Sequence, residues 1–268
     1  MSSRNSKAAK SAARERLRVQ REKEAKRAKI RRQILVGVSV VVVLGAAGGI
    51  AVAVNNANKP TYWKAAAKNT LVKPANTSGA DGTTVIIGDK NNKNTLAEYE
   101  DLRCPICAAY EQAAGDAVLQ GAKDGLYKID YTFGTFLDDK NGGSGSKKAL
   151  SALGAALNVS PDAFSAYHTL LYSKAVHPDE TKDTFNNADH LIALAQQIPA
   201  LKGNTKFSDA VKKGTFDKWA LEMTSKYNHS PSNIVQNGTP TAVVNGTIVP
   251  VAGLPSDQVM SAIKAKLK

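Results

Sequence analysis

Two cysteines three positions apart, Cys104 and Cys107, constrain this chain more than any other feature, and they are its only cysteines. Residues 96–99 (LAEY) before them predict a short strand, and residues 108–122 after them predict a helix. A Cys-x-x-Cys pair between a strand and a helix is typical of a redox site. We therefore expect a Cys104–Cys107 disulfide that opens and closes.

The expected position of Cys104 at the start of a helix affects its chemistry. Unpaired backbone N–H groups and the helix dipole favour a negative charge there, which lowers the pKa of a thiol. A stabilised thiolate also stabilises the reduced pair, so the disulfide becomes a stronger oxidant.

Two other interpretations of the cysteine pair stay open. A purely structural disulfide across so short a loop would contribute only about 2 kcal/mol in the chain-entropy model. The second alternative is that the pair forms half of a zinc site. Zinc needs four ligands, however, and no second Cys-x-x-Cys or His-x-x-x-His is present. The four histidines are scattered, and we interpret them as structural or surface residues: His168, His177, His190 and His229. We predict no metal and no other cofactor.

The positive charge is concentrated at the N-terminus. The formal net charge is +13, and residues 1–33 contain thirteen Lys or Arg and three Glu, a net charge of +10. That leaves +3 for residues 34–268, so the rest of the chain is not predicted to bind nucleic acid.

Residues 34–54 form an uncharged apolar run, ILVGVSVVVVLGAAGGIAVAV. As a helix it would be about 31 Å long, the thickness of a bilayer core. The preceding basic residues predict a cytoplasmic N-terminus and an extracytoplasmic C-terminal domain. A cleaved signal peptide is the alternative, although both the basic segment and the apolar run are long for one. An extracytoplasmic location suits the cysteines, because disulfides persist there.

Hydrophobic patterns predict a mixed α/β domain. Predicted strands lie at residues 83–87, 95–99, 128–133, 241–244 and 247–250. Predicted helices lie at residues 108–122, 147–158, 189–198, 207–213, 215–227 and 256–267, with another beginning at Ser160-Pro161. A strand, a helix and a strand in succession imply a right-handed parallel crossover. Asn245-Gly246 predicts a tight hairpin, and the long helical stretch between strands predicts an inserted helical domain.

Two segments resemble one known family. Residues 98–107 have the sequence EYEDLRCPIC, and residues 238–246 have the sequence GTPTAVVNG. Together they resemble the DsbA-like thioredoxin-fold thiol-disulfide oxidoreductases, in particular the membrane-anchored type of actinobacteria. The resemblance covers about residues 80–265.

The resemblance implies roles for particular residues. Pro240 is expected to form a cis peptide bond near Cys104, so that Thr239 presents its backbone to a substrate chain. Glu98 is expected to lie buried beneath the cysteines and to relay a proton to or from Cys107, unless it is an edge residue in solvent. Arg103, next to Cys104 in the sequence, is a candidate for stabilising the thiolate, unless it is simply exposed.

Pro105 and Ile106 separate the two cysteines and are expected to tune them. The strongest oxidants of this family carry His where this chain has Ile106, and Ile cannot donate a hydrogen bond to the thiolate. We therefore expect a milder oxidant and a more apolar substrate surface.

These observations predict a thioredoxin fold with a large helical insertion, preceded by one transmembrane helix. The predicted segments are a basic cytoplasmic tail (1–33), a transmembrane helix (34–54), a linker (55–81), a first thioredoxin part (82–137), a helical insertion (138–235) and a second thioredoxin part (236–268).

The expected activity is the introduction of disulfides into exported client proteins with free cysteines. The resemblance further implies a membrane quinone-linked partner that re-oxidises the cysteine pair. A reductase or isomerase of the same fold, and a tethered binding protein with an inert disulfide, are the alternatives.

Overall fold

The computed structural model describes residues 61–268, with the backbone alone at residues 235–237. The basic tail, the apolar segment at 34–54 and the start of the linker lie outside the described residues. Within residues 61–268, no helix is both long enough and apolar enough to cross a membrane. Residues 62–268 form a single compact unit.

A five-stranded mixed sheet lies at the centre of this unit. Its strands are β1 (Val85–Ile87), β2 (Thr95–Glu100), β3 (Lys128–Phe133), β4 (Thr241–Val244) and β5 (Thr247–Val249), in the spatial order β1-β3-β2-β4-β5. Strands β2 and β3 are parallel, as the crossover predicts, and the other neighbouring pairs are antiparallel. The predicted α/β thioredoxin-like architecture is confirmed.

Helices cover the sheet and fill the segment between β3 and β4. They are α1 (Tyr62–Ala66), α2 (Pro105–Tyr110), α3 (Asp116–Lys123), α4 (Phe136–Asn141), α5 (Gly145–Val159), α6 (Pro161–Tyr172), α7 (Ala188–Ala195), α8 (Thr205–Lys213), α9 (Asp217–Asn228), α10 (Ser232–Asn237) and α11 (Ser256–Lys264). One π-helical turn, Glu111–Gly115, joins α2 to α3, so the helix predicted at 108–122 is interrupted. A short 3-10 turn lies at Thr184–Asn186.

The helical segment between β3 and β4 shares one hydrophobic core with the sheet. Helix α5 is its centre, because nearly every side chain from Ala149 to Leu157 is buried. Gly154 allows α9 to approach α5 closely, since a Cβ atom there would lie 2.9 Å from Cε3 of Trp219. The indole N–H of Trp219 donates to the carbonyl of Gly82 at 2.7 Å, which joins the helices to the chain entering the sheet.

Local sequence signals explain several boundaries. The hydroxyl of Ser160 accepts the N–H of Ala163 at 3.0 Å, and Pro161 occupies the first helical position of α6, as predicted. The hairpin between β4 and β5 turns at Asn245 (φ 49°) and Gly246 (φ 87°), the positive φ values that a two-residue turn requires.

Candidate active site

The cysteine pair lies at the junction between β2 and α2. Cys104 precedes the helix with extended backbone angles, and Pro105 is its first residue. The carbonyl of Asp101 accepts the N–H of Cys104 at 2.8 Å, which closes the turn between strand and helix. Both cysteines are free thiols in this structure, so it represents the dithiol state. The Cys104–Cys107 disulfide stays a prediction for the oxidised state.

The two thiols have very different environments. Cys104 is 6% exposed, whereas Cys107 is fully buried. A hydrogen bond from Cys107 is the largest cause that lowers the pKa of Cys104 to about 6, and the backbone N–H groups of Ile106 and Cys107 add to it. Burial raises the pKa of Cys107 well above its usual value, followed by its bond to Cys104 and the charge of Glu100. At neutral pH, Cys104 is therefore mainly a thiolate and Cys107 is a thiol.

The backbone before β4 lies beside the nucleophile. The Thr239–Pro240 peptide bond is cis, as the resemblance implies. The register of β4 against β2 places Thr241 opposite Tyr99, next to the end of β2 from which the cysteine turn begins. The Sγ atom of Cys104 lies 3.5 Å from the carbonyl oxygen of Thr239. Substrate binding by Thr239 and Pro240 stays a prediction.

Pro105 and Ile106 form the exposed part of the cysteine turn. The side chain of Ile106 is 53% exposed, one of few large apolar side chains in the described chain that solvent reaches to this extent. An apolar side chain therefore stands next to the reactive sulfur, as the sequence predicts, while its effect on the redox potential stays a prediction.

Glu98 is buried in the sheet, at 1% exposure, rather than pointing to solvent from an edge. Its Oε1 accepts a hydrogen bond from the hydroxyl of Tyr110. Burial is the largest cause that raises the pKa of Glu98, and the Tyr110 bond partly opposes it. The expected role of Glu98 in proton transfer to Cys107 stays a prediction.

A second carboxyl group, Glu100, acts on the cysteines, and the sequence interpretation did not single it out. Glu100 is fully buried, and its negative charge raises the pKa of Cys107. Its Oε2 lies 2.7 Å from Nε2 of His168, a residue that we expected to be structural or on the surface. Alternation along β2 places Glu98 and Glu100 on one face, which is the signal in the sequence that would have pointed to Glu100.

The Arg103 side chain is buried. Its guanidinium pairs with Asp138 at 3.0 Å and Asp183 at 3.3 Å. It also donates to the carbonyl oxygens of Gly142 and Glu180. These contacts join the helical segment to the cysteine turn, and the role of Arg103 in stabilising the thiolate stays a prediction.

Asp101 joins the same turn to two helices. Its carboxylate accepts the N–H of Arg103 at 3.0 Å, the N–H of Leu137 at 3.1 Å and the hydroxyl of Ser146 at 2.6 Å. Burial raises the pKa of Asp101 to about 6, although these hydrogen bonds oppose the shift. The position of Cys104 thus depends on contacts from α4 and α5.

Comparison with known proteins agrees with this geometry. A family model described as thioredoxin matches residues 80–265. DsbG of Mycobacterium tuberculosis, a disulfide bond oxidoreductase solved in its reduced form, superposes with a TM-score of 0.58 and 25% identity over 69% of this chain and 88% of its own. No curated protein matches the chain.

Two further solved structures share the fold. Oxidised DsbA of Mycobacterium tuberculosis has a TM-score of 0.53 and 24% identity, covering 68% of this chain and 99% of that one. The thiol-disulfide oxidoreductase MdbA of Actinomyces oris has a TM-score of 0.58 and 18% identity, covering 75% and 92%.

The chain belongs to the thioredoxin family. The DsbA-like resemblance seen in the sequence is confirmed, and with it the predicted enzyme class, a protein disulfide oxidoreductase.

We expect the low pKa of Cys104 to depend on the donor at position 107. Cys107→Ala removes the hydrogen bond, so the pKa of Cys104 should rise from about 6 toward the ordinary thiol value of 9.0. Cys107→Ser keeps an O–H donor and should hold the pKa closer to 6. Ultraviolet absorbance of the thiolate, titrated against pH, measures both variants. Equal pKa values for the two would contradict the assignment.

Arg103→Gln should destabilise the protein without changing the reactivity of Cys104. The substitution removes the buried cation that pairs with the buried Asp138 carboxylate, and breaking such a buried pair typically costs about 3–5 kcal/mol of unfolding free energy. Lys147→Ala, which removes the more exposed partner at 3.4 Å, is the control and should cost less than about 1 kcal/mol. Urea unfolding gives the stability, and thiolate titration should give an unchanged pKa. A raised Cys104 pKa in Arg103→Gln would instead support its role in stabilising the thiolate.

Proposed function

We propose that this protein introduces disulfide bonds into exported proteins, as a membrane-anchored oxidoreductase outside the cytoplasmic membrane. The observation that carries the proposal is the inequality of the two thiols, a Cys104 with a pKa of about 6 beside a buried Cys107 whose pKa is raised. A pair of this kind favours the reduced state, and its disulfide therefore oxidises other thiols.

The size of this effect follows from the titration of Cys104. Lowering a thiol pKa from 9.0 to about 6 increases the reduced population about tenfold at pH 7. That is about 1.4 kcal/mol, or about 30 mV in the potential of a two-electron couple. The shift agrees with an oxidant milder than one with His at position 106.

The proposed reaction is two successive exchanges. A client thiolate attacks Sγ of Cys104 in the disulfide, the S–S bond breaks, and its electron pair goes to the sulfur of Cys107. A second client thiolate then attacks the client sulfur of the mixed disulfide, and the electron pair returns to Cys104 as a thiolate. The client loses two electrons and the cysteine pair gains them.

The surface around Cys104 supports an extended client segment. Pro105 and Ile106 offer exposed apolar contact on one side of the sulfur. The carbonyl oxygen of Thr239 lies 3.5 Å from the sulfur and directly precedes cis-Pro240. We propose that Thr239 accepts a backbone hydrogen bond from the client while Ile106 contacts its apolar side chains.

The location of the protein rests on its sequence. The apolar run at 34–54 and the preceding +10 charge support a single anchor with the N-terminus in the cytoplasm. Each turnover leaves the pair reduced, so a recycling oxidant is required. By resemblance to DsbA-like enzymes, we propose a quinone-linked membrane protein in that role.

The redox potential of the purified full-length protein tests the direction of the reaction. Equilibration against glutathione buffers should give a value above about −180 mV, between those of protein disulfide isomerase and DsbA. In cells, acid trapping and alkylation should then find the pair mostly oxidised. A value of about −250 mV or lower with a mostly reduced pair would favour a reductase or isomerase. A disulfide that dithiothreitol does not open without unfolding would favour a tethered binding protein.

Cysteine labelling in intact cells tests the proposed topology. With both native cysteines changed to Ser, Gln258→Cys places a thiol on an exposed position of α11, and Ser6→Cys places one in the basic tail. A membrane-impermeant maleimide should label Gln258→Cys in intact cells and Ser6→Cys only after permeabilisation. Equal labelling of both positions in intact cells, or of neither, would contradict a single anchor with a cytoplasmic tail.

A further inference from the structure

The positive charge of the described chain is concentrated at its start. Residues 61–80 contain three lysines and no Asp or Glu, a net charge of +3. Residues 81–268 contain nineteen Lys or Arg and twenty Asp or Glu, a net charge of −1. The three lysines of the first range, Lys64, Lys68 and Lys73, are all exposed. The first residues therefore present a basic surface on a domain that is otherwise close to neutral.

The same stretch exposes aromatic and apolar side chains. Tyr62 is 52% exposed and Val72 is 42% exposed, and both are among the few large apolar side chains of residues 61–268 that reach solvent to this extent. The half-buried ring of Trp63 lies beside Tyr62, with the ring centroids 5.4 Å apart. Tyrosine and tryptophan are enriched where a bilayer meets water, and lysines attract anionic headgroups. We call residues 61–73 the contact segment.

Helix α1 of the contact segment is held on the domain by specific contacts. The hydroxyl of Tyr62 donates a hydrogen bond to the buried carboxylate of Asp217 on α9. Nζ of Lys148 on α5 lies 3.5 Å from the same carboxylate and 3.8 Å from the centroid of the Tyr62 ring. Gly214 leaves room for this arrangement, because a Cβ atom there would lie 2.5 Å from the Tyr62 hydroxyl oxygen. The contact segment therefore has a defined position on the domain.

Chain length limits how far the contact segment can be from the proposed anchor. Seven residues, 55–61, join the apolar run at 34–54 to Tyr62. Fully extended, they would span at most about 25 Å. The headgroup region beyond the hydrocarbon core takes up about 5–8 Å of that distance. The lysines of the contact segment are therefore within reach of lipid headgroups.

We propose that the contact segment binds the anionic headgroups of the bilayer in which the protein is anchored. Lys64 and Lys68 supply the charge, and each lysine near an anionic surface strengthens binding about fivefold. Lys73 contributes less, because its Nζ already donates to the carbonyl of Ala80 at 2.6 Å. The exposed part of the Tyr62 ring enters the interface. The inference rests on the anchor of the proposed function and adds a second, reversible contact with the same membrane.

The N-terminal part of α5 joins the contact segment to the cysteine turn. The hydroxyl of Ser146 donates to the carboxylate of Asp101 at 2.6 Å, and Lys148, two positions further along α5, contacts Tyr62. Two residues of helix rise by about 3 Å. The cysteine turn and α1 thus contact the same end of α5. Lipid contact at α1 consequently keeps the end of the domain that carries the cysteines toward the bilayer, where the proposed recycling partner acts.

Tryptophan fluorescence of the full-length protein in lipid nanodiscs tests the lipid contact. Trp63 and Trp219 are the only tryptophans, and Trp219 is fully buried, so the aqueous quencher acrylamide acts mainly on Trp63. Quenching should be weaker in discs of phosphatidylcholine with phosphatidylglycerol than in discs of phosphatidylcholine alone. High salt should remove the difference, because it screens the attraction between lysines and headgroups. Trp63→Phe identifies the part of the signal that comes from this residue.

A pair of lysine substitutions tests which surface is responsible. The double variant Lys64→Gln with Lys68→Gln should lose the protection that phosphatidylglycerol gives to Trp63, since two lysines contribute about 30-fold to the population of the lipid-bound state. The matched control is Lys264→Gln with Lys266→Gln, which removes two exposed lysines at the end of α11 and changes the net charge equally. The control should keep the protection, and circular dichroism checks the fold of both variants.

Energy transfer tests the position of the cysteine turn. Cys104 is alkylated selectively with a fluorescent donor near neutral pH, because it is a thiolate and Cys107 is a buried thiol. An acceptor is placed on the lipid headgroups of phosphatidylglycerol-containing discs. Transfer should be lower in the double variant Lys64→Gln with Lys68→Gln than in the wild type, and unchanged in the α11 control.

Different results would overturn different parts of the proposal. Equal quenching of Trp63 in both kinds of disc, or the same loss of protection in the α11 control, would overturn the lipid contact. Equal energy transfer in the wild type and the double variant would overturn the orientation of the cysteine turn. Failure of the full-length protein to enter discs would refute the anchor and the lipid contact together. A strongly negative redox potential would instead refute the oxidase function and leave the quenching prediction intact.

Discussion

The hydrogen bond from the Cys107 thiol to the Cys104 sulfur is the interaction on which this site depends. It is the largest cause of the low pKa of Cys104, and it exists only because Cys107 stays protonated at neutral pH. Full burial of Cys107 provides that condition, since a buried thiolate is poorly solvated. The reactivity of Cys104 therefore depends on the burial of Cys107.

Buried polar contacts connect the same turn to the helical segment. Arg103 is 1% exposed and binds groups contributed after β3, and Asp101 accepts hydrogen bonds from Leu137 and Ser146. Such contacts fix geometry more than they add stability, because desolvation offsets much of their attraction. The helices therefore help to position the active-site turn as well as covering the sheet.

Local patterns predicted much of this structure because they depend on near neighbours in the chain. Such signals predict the redox-active pair at Cys104 and Cys107, the hairpin at Asn245-Gly246 and the start of α6 at Pro161. The alternation of β2 also fixes the face on which Glu100 lies.

Those local patterns could not predict contacts between residues that are far apart in the sequence. Glu100 and His168 are 68 positions apart, and nothing in either segment specifies the other. Arg103 is next to Cys104 in sequence, yet its guanidinium pairs with groups 35 and 80 positions away, which its place beside the cysteine does not predict. The π-helical turn was likewise missed, because residues 108–122 have an ordinary helical composition.

The contact between Glu100 and His168 limits how far the reactive segment is separable from its surroundings. A graft of residues 104–107 onto another thioredoxin scaffold would transfer the nucleophile and its neighbouring thiol. It would leave behind the imidazole of His168 on α6 and the rings of Tyr131 and Tyr172 that contact it. Substituting the two residues between the cysteines therefore changes only part of the active site. Substitutions on the buried face of α6 are a second, independent way to change it.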